Sequence, residues 1–149
     1  MKKKRKARFG LFRALLAPYR VFISHSSDDL WVAQQLANAV ESTGARAFLD
    51  TRDIAHGDDF RKRIGREIPK CKKLLALFTP WSSGRWWVRH EIGMADQQKL
   101  RIVCVFYHVK IADFSADDGG LGPLDGLKIV DINEFETYLG ALKKRVNQR

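Results

Sequence analysis

Short apolar runs alternate along this chain with stretches whose apolar positions recur every three or four residues. The first run, Tyr19-Arg20-Val21-Phe22-Ile23-Ser24, predicts a short buried strand. It enters the polar segment His25-Ser26-Ser27-Asp28-Asp29, where Ser27 or Asp28 is placed to cap a helix. That helix carries Leu30, Ala33, Leu36, Ala37 and Val40 at helical spacing and ends at Gly44. A second strand is expected over Ala45-Arg46-Ala47-Phe48-Leu49, then a polar loop from Asp50 to Asp59, then a helix with Phe60, Ile64 and Ile68 on one stripe that stops at Pro69. The run Lys73 to Thr79 predicts a third strand, and a helix begun by Ser82 or Ser83 follows it. The most apolar run, Arg101 to Tyr107, predicts a fourth strand, and Lys128 to Ile132 a fifth. Between those two, Lys110 to Gly126 reads as a flexible loop or broken helix. Asn133 and Glu136 have capping-box spacing at the start of a last helix through Tyr138, Leu139 and Leu142.

Strands alternating with helices imply an α/β fold: a five-stranded parallel sheet with helices on both faces, in the flavodoxin-like order 2-1-3-4-5. The topological switch point then falls between strands one and three, where ligands bind in such sheets. It gathers Ser24 to Asp28, Asp50 to Gly57 and Thr79 to Glu91 around one crevice.

Within the third of these stretches, Trp87 and Glu91 lie four residues apart and share a helix face, beside an apolar stripe of Val88, Ile92 and Ala95. On spacing alone Trp87 reads as a core anchor and Glu91 as a solvated helix acid. Their place beyond a buried strand, facing two other polar loops, opens a chemical reading of the pair.

Composition changes this picture in two places. Eight of the 27 Lys and Arg residues fall within the first twenty positions, which hold no acid, leaving 19 basic against 17 acidic residues in the rest. Most of the net charge of +10 therefore belongs to an arm, residues 1–18, and not to a nucleic-acid-binding face, so no specific nucleic acid is expected. The arm reads as a solubilising tail, or as a basic amphipathic segment using Phe9, Phe12, Leu15 and Leu16 against an anionic membrane or a partner. Residues 19–149 form one domain with room for a proper core. Cys71 and Cys104 match neither a disulfide framework nor a metal motif, and no apolar run approaches transmembrane length, so a cytoplasmic location is expected.

Specific residues exclude several chemistries. GxxxxGK[ST] and GxGxxG are absent, and Thr79 and Ser24-His25 stand where a phospho-accepting receiver needs acids. His25, His56, His90 and His108 lack metal-ligand spacing, so no metal site is expected, and Ser24 or Ser26 next to His25 is no hydrolase triad because neighbours in an extended segment point apart. What remains is one carboxylate beside an aromatic. That suits cleavage of a glycosidic bond, whose oxocarbenium-like transition state calls for negative charge, and nicotinamide already carries positive charge in NAD+ and leaves without a general acid.

Three stretches, YRVFISHSSDD, ARAFLDTRDIAHGDDF and LLALFTPWSSGRWWVRHEIGMA, resemble in order and spacing the signature boxes of Toll/interleukin-1 receptor (TIR) domains. The resemblance covers about Tyr19 to Arg149, and the FISHSS start is similar to prokaryotic members. It implies an enzyme that hydrolyses or cyclises NAD+ as substrate, with no other cofactor. By that resemblance Glu91 is the catalytic glutamate of W-x-x-x-E, and Trp87 lines the site. His25 and Ser26 contact nicotinamide and ribose. Asp50 binds NAD+ and with the loop Thr51 to Gly57, which contains Asp53, Ile54 and Gly57, corresponds to the mobile BB loop, and Phe60 binds NAD+ from the start of the second helix; His56 stands before Gly57 where many members have proline.

Taken residue by residue, Phe60 has packing, Asp50 has capping and His25 has plain loop exposure as alternatives. The resemblance further implies homotypic self-association and, as in antiphage systems such as Thoeris, a signal read by a separate effector. The alternative function is a non-enzymatic adaptor or effector acting through TIR–TIR contacts.

Overall fold

Alternation within each apolar run decides the layering of the fold. A computed structural model describes residues 17–49, 62, 64–82, 86–114 and 127–148, with backbone alone for 86–88. Its strands are β1 (Arg20–Ser24), β2 (Arg46–Leu49), β3 (Lys73–Phe78), β4 (Arg101–Phe106) and β5 (Lys128–Asp131). All pair in parallel in the order β2-β1-β3-β4-β5, the arrangement expected from the alternating elements. β3 is buried at every position, as a strand covered on both faces must be.

Odd and even positions go to opposite faces. Val21, Ile23, Leu75, Leu77, Val103, Val105 and Val130 point to one face, covered by helices α1 (Leu30–Glu41) and α3 (Phe135–Asn147). Phe22, Leu74, Ala76, Phe78, Ile102, Cys104 and Phe106 point to the other, which is covered by helix α2 (Trp86–Gln97) and by Ile64 and Ile68. Each large side chain so buried contributes about 1.5–3 kcal/mol. Residues 64–67 are helical, and a 3-10 turn, Ile68–Lys70, carries the chain through Pro69. Arg20 Nη2 donates to Glu67 Oε2 at 2.8 Å, tying this segment to the start of β1.

The helix starts differ from the sequence expectations. Ser27–Asp29 form a 3-10 turn whose N-cap is Ser26, so the α-helical cap position passes to Asp29 instead of Ser27 or Asp28. At the last helix no Asn133–Glu136 box forms. Asp131 caps a 3-10 turn, Ile132–Glu134, by accepting from the Asn133 N–H at 2.9 Å, and α3 begins after it. In both places the side chain nearest the strand end reaches the free N–H groups first. Gly44 does end the first helix, at a φ of 90° that an L side chain adopts only with strain.

Residues 1–16 of the expected arm, the loop from Asp50 to Asp59, Phe60 and residues 115–126 lie outside the described residues. Among the described residues no helix is long and apolar enough to cross a membrane.

Candidate active site

Nine polar or charged residues are buried among the described ones, and seven of them gather at the carboxyl ends of β1 and β3: Ser24, His25, Ser26, Asp29, Thr79, Ser82 and Glu91. Burying polar groups costs free energy unless they are hydrogen-bonded, so this clustering needs a structural or chemical reason.

For the loop after β3 the reason is structural. Thr79 Oγ1 donates to Asp29 Oδ2 at 2.7 Å, and the same oxygen accepts from the N–H groups of Trp81 at 3.2 Å and Ser82 at 3.3 Å. Ser82 Oγ accepts the Thr79 N–H at 2.7 Å and lies 3.3 Å from Leu77 O. The loop is thereby closed on itself and pinned to the start of α1. Burial pushes the Asp29 carboxyl above its ordinary range, against the opposing pull of the Thr79 hydroxyl, and the neighbouring Asp28 adds to the upward shift.

On β1, Ser26 caps its turn, with Oγ accepting the Asp28 N–H at 3.4 Å. His25 is buried with Nδ1 3.4 Å from Ile23 O, so its reading as a solvent-facing loop residue does not hold.

Glu91 departs furthest from the solvated acid that spacing alone suggested, being only 2% exposed. Helix geometry gives the cause. Ile92 and Ala95 pack into the core on the Phe22 and Phe78 side of the sheet, and Glu91 lies one turn, about 6 Å, from Ala95 toward the helix N-terminus on nearly the same face. Because α2 links parallel neighbours β3 and β4, it runs back against the strands, and its N-terminal end lies at their carboxyl ends. The carboxylate is thus held on the sheet-facing side of α2 at the ligand-binding end of the fold. Trp87 lies in the first turn of the same helix. Its side chain, like Asp50, Phe60, Asp53, Ile54 and Gly57, falls outside the described residues.

Sequence reasoning gave site roles to Glu91, His25 and Ser26, placed Ser24, Thr79 and Ser82 at the crevice without a role, and left Asp29 out. Chain order alone does not pair Asp29 with a residue fifty positions away. The readable signal was the unbroken polar run His25 to Asp29 after the first strand; after the third, Pro80 and Trp81 separate the polar positions Thr79 and Ser82.

Among the described residues no group of three or more His, Cys, Asp or Glu can hold a metal ion. The two cysteines are free and buried, and burial pushes their thiols up to about 11 for Cys71 and about 12 for Cys104, which leaves neither a nucleophile near neutral pH. A groove of about 460 Å³ lies elsewhere, at the carboxyl ends of β4 and β5, lined by residues that include Tyr107, His108, Asp113 and Asp131. Its carboxylates already accept local bonds, Asp113 from the Lys110 N–H at 2.6 Å and Asp131 from Asn133 at 2.9 Å, so the buried cluster at β1 and β3 is the better candidate for chemistry.

Comparison with known proteins bears on the family of the chain. A family model for the TIR domain matches residues 21–143. Among curated proteins, a probable 2' cyclic ADP-D-ribose synthase, BdTIR, of Brachypodium distachyon is 32% identical over 64% of this chain and 43% of its own. A second with that description, TcpB of Brucella abortus, is 29% identical over 61% and 38%. A third, TcpO of Methanobrevibacter olleyae, is 22% identical over 87% and 39%. The chain thus spans less than half the length of each of these relatives.

Two solved structures share the fold. The TIR domains of the activated Roq1 resistosome match with a TM-score of 0.52 at 20% identity, over 87% of this chain and 84% of that one. Clostridium botulinum CMP N-glycosidase, BcmB, matches with 0.53 at 18%, over 83% and 97%. With the family model spanning β1 to α3 over the sheet order and buried cluster described above, the chain belongs to the TIR domain family.

Proposed function

We propose that the chain cleaves the N-glycosidic bond between nicotinamide and ribose in NAD+. The carrying observation is Glu91, a carboxylate buried to 2% exposure on α2, at the end of the fold where the other buried polar residues of β1 and β3 gather. In this reading the C1'–N bond breaks, its electron pair leaves with nicotinamide, and the developing positive charge on the ribosyl group is stabilised by the carboxylate. Glu91 accepts hydrogen bonds from the ribose hydroxyls. Trp87 lines the site, His25 and Ser26 contact nicotinamide and ribose, and Asp50 and Phe60 bind the dinucleotide beside the BB loop with Asp53, Ile54 and Gly57.

The ribosyl carbon is captured by water, giving ADP-ribose and a proton, or by a hydroxyl of the same molecule, giving a cyclic ADP-ribose and a proton. The three relatives described as probable 2' cyclic ADP-D-ribose synthases favour cyclisation. We further propose homotypic self-association and action in the cytoplasm as a maker of a nucleotide signal for a separate effector, in antiphage defence. A purely adaptor function gives no chemical use to an acid buried at the strand carboxyl ends.

The experiment is incubation of concentrated protein with NAD+, resolving products by mass spectrometry, beside Glu91→Ala. Nicotinamide release by the wild type that is lost in the variant supports the reading, and the second product separates hydrolysis from cyclisation. Equal release by the two proteins, or none from the folded wild type, refutes it.

A further inference from the structure

Ser24, the last residue of β1, is 1% exposed, and among the described residues its Oγ has no hydrogen-bond partner. Such groups are rare in folded proteins because a hydroxyl taken from water without a new partner costs free energy. The other hydroxyls of the cluster do not share this state: Ser26 Oγ caps a turn, and Ser82 and Thr79 bond each other.

Register gives the direction in which the hydroxyl points. Ser24 is level with Ala76 in the parallel β1–β3 pair, and residues level in a parallel pair project to the same face. Ala76 belongs to the face packed by Ile92 and Ala95 of α2, the helix whose sheet-facing side carries Glu91 one turn nearer the strand carboxyl ends. The unpaired hydroxyl and the buried carboxylate therefore flank the crevice from the same side of the sheet, one from β1 and one from α2.

We propose that Ser24 is a substrate-binding residue whose hydroxyl is kept unpaired for a polar atom on the nicotinamide riboside half of the dinucleotide, the half that Glu91 engages. This rests on the NAD+ reading above and extends it to a residue outside the loop. The cost of leaving the hydroxyl unpaired in the empty protein is recovered when substrate supplies the missing partner. A hydrogen bond to a part of the substrate that does not change charge during cleavage is made equally before and in the transition state, so its loss appears in KM more than in kcat.

The test measures initial rates of nicotinamide release against NAD+ concentration, together with thermal unfolding with and without NAD+. It uses the wild-type chain, Ser24→Ala and Ser24→Cys, with Glu91→Ala as the inactive reference. For Ser24→Ala the expected result is a KM raised about 5- to 20-fold, the worth of one hydrogen bond, with kcat changed less and Tm equal to or above that of the wild type. Ser24→Cys, which keeps the volume and a weak donor, falls between them. An unchanged KM in both variants overturns the Ser24 assignment and leaves the NAD+ reading standing. A lowered Tm with rates that follow only the folded fraction overturns it too, because the hydroxyl is then structural. A folded wild type with neither turnover nor an NAD+-dependent Tm shift overturns the NAD+ reading, and this inference with it.

Discussion

Thr79 Oγ1 donates to Asp29 Oδ2 at 2.7 Å, across fifty residues of sequence, and this bond joins the end of β3 to the start of α1 beneath the candidate site. Asp29 holds the N-cap position of α1 yet makes no capping bond of its own, because its carboxylate faces Thr79. The threonine oxygen in turn accepts two backbone N–H groups. Thr79→Val removes all three bonds and leaves a buried carboxylate with no hydroxyl donor. The expected destabilisation is about 2–3 kcal/mol, read from urea unfolding at pH 7. A loss below about 0.5 kcal/mol would mean that water or another side chain replaces the hydroxyl.

Asp29 also sets a slope in pH. Its folded-state pKa is raised, chiefly by burial, so in acid the native chain holds its proton more tightly than the unfolded chain does. The contribution is fully present below the ordinary carboxylate pKa and is lost as pH rises through the raised value. Asp29→Asn keeps an acceptor for the Thr79 hydroxyl and cannot titrate. Its stability relative to wild type is therefore expected to improve as pH rises across that interval, measured as the difference in urea midpoint between the two proteins. A difference that stays flat, or that shrinks with pH, contradicts the direction of the shift.

Ser82 carries a separate expectation, because its Oγ is the acceptor for the buried Thr79 N–H and stands just before the segment that enters α2. Ser82→Ala strands that N–H at a cost of about 1–3 kcal/mol. It also loosens the path into the helix that holds Glu91. Under the proposed chemistry kcat falls while Glu91 itself is intact, since a misplaced carboxylate loses transition-state stabilisation first. Ser82→Cys, which keeps the size and a weak acceptor, is expected to recover part of both losses in the paired stability and rate measurements.

How much of this was legible in the chain varies with the range of the interaction. The alternation in Arg20–Ser24, Lys73–Phe78 and Arg101–Phe106, broken by helical spacing at Leu30, Ala33 and Leu36, was enough for sheet order and for the crevice between β1 and β3, because periodicity is a local property. The helix caps were not, since Ser27 and Asn133 each compete with a residue closer to the strand end, and the choice depends on how the strand delivers the backbone. The burial of Glu91 was likewise hidden: on a helical wheel it borders the Ile92 and Ala95 stripe, and only the height of the helix on the sheet decides whether a bordering position is wet or dry. Ser24 was absorbed into the strand by its neighbours Phe22 and Ile23, and its missing partner is a fact of three-dimensional packing.

The thiols offer a simple check on the same core. Cys104 lies in β4 among core residues and Cys71 just before β3, both buried and both raised well above neutral pH. Thiolate is the reactive form, so neither is expected to react with a disulfide reagent in the native chain at pH 7.5, and both are expected to react after denaturation. Rapid modification of the folded protein would show that the sheet opens locally near β3 and β4.

Lys73 gives the opposite case, a charge buried without a carboxylate in the described contacts around it. It opens β3 at 4% exposure, with Nζ 4.8 Å from the centre of the Tyr138 ring on α3, and Arg101 on β4 and Lys128 on β5 add repulsion. Burial brings its pKa down from the usual lysine value to about 8, with the two cations contributing further. Between about pH 8 and the ordinary lysine range the native side chain is neutral while the unfolded one is still charged. The unfolded state binds more protons there, and stability rises with pH across that window.

Below pH 8 the ammonium stays charged in the fold, held by the face of an aromatic ring whose own hydroxyl has no partner. Lys73→Met, of similar length and without charge, is therefore expected to stabilise the domain by about 1 kcal/mol at pH 7, after allowance for the lost cation–π contact. The advantage shrinks toward pH 10, where the wild-type lysine has already given up its proton. Urea midpoints for both proteins at pH 7 and pH 10 decide it: a variant less stable than wild type at pH 7 would mean that the ring contact outweighs the cost of burying the charge.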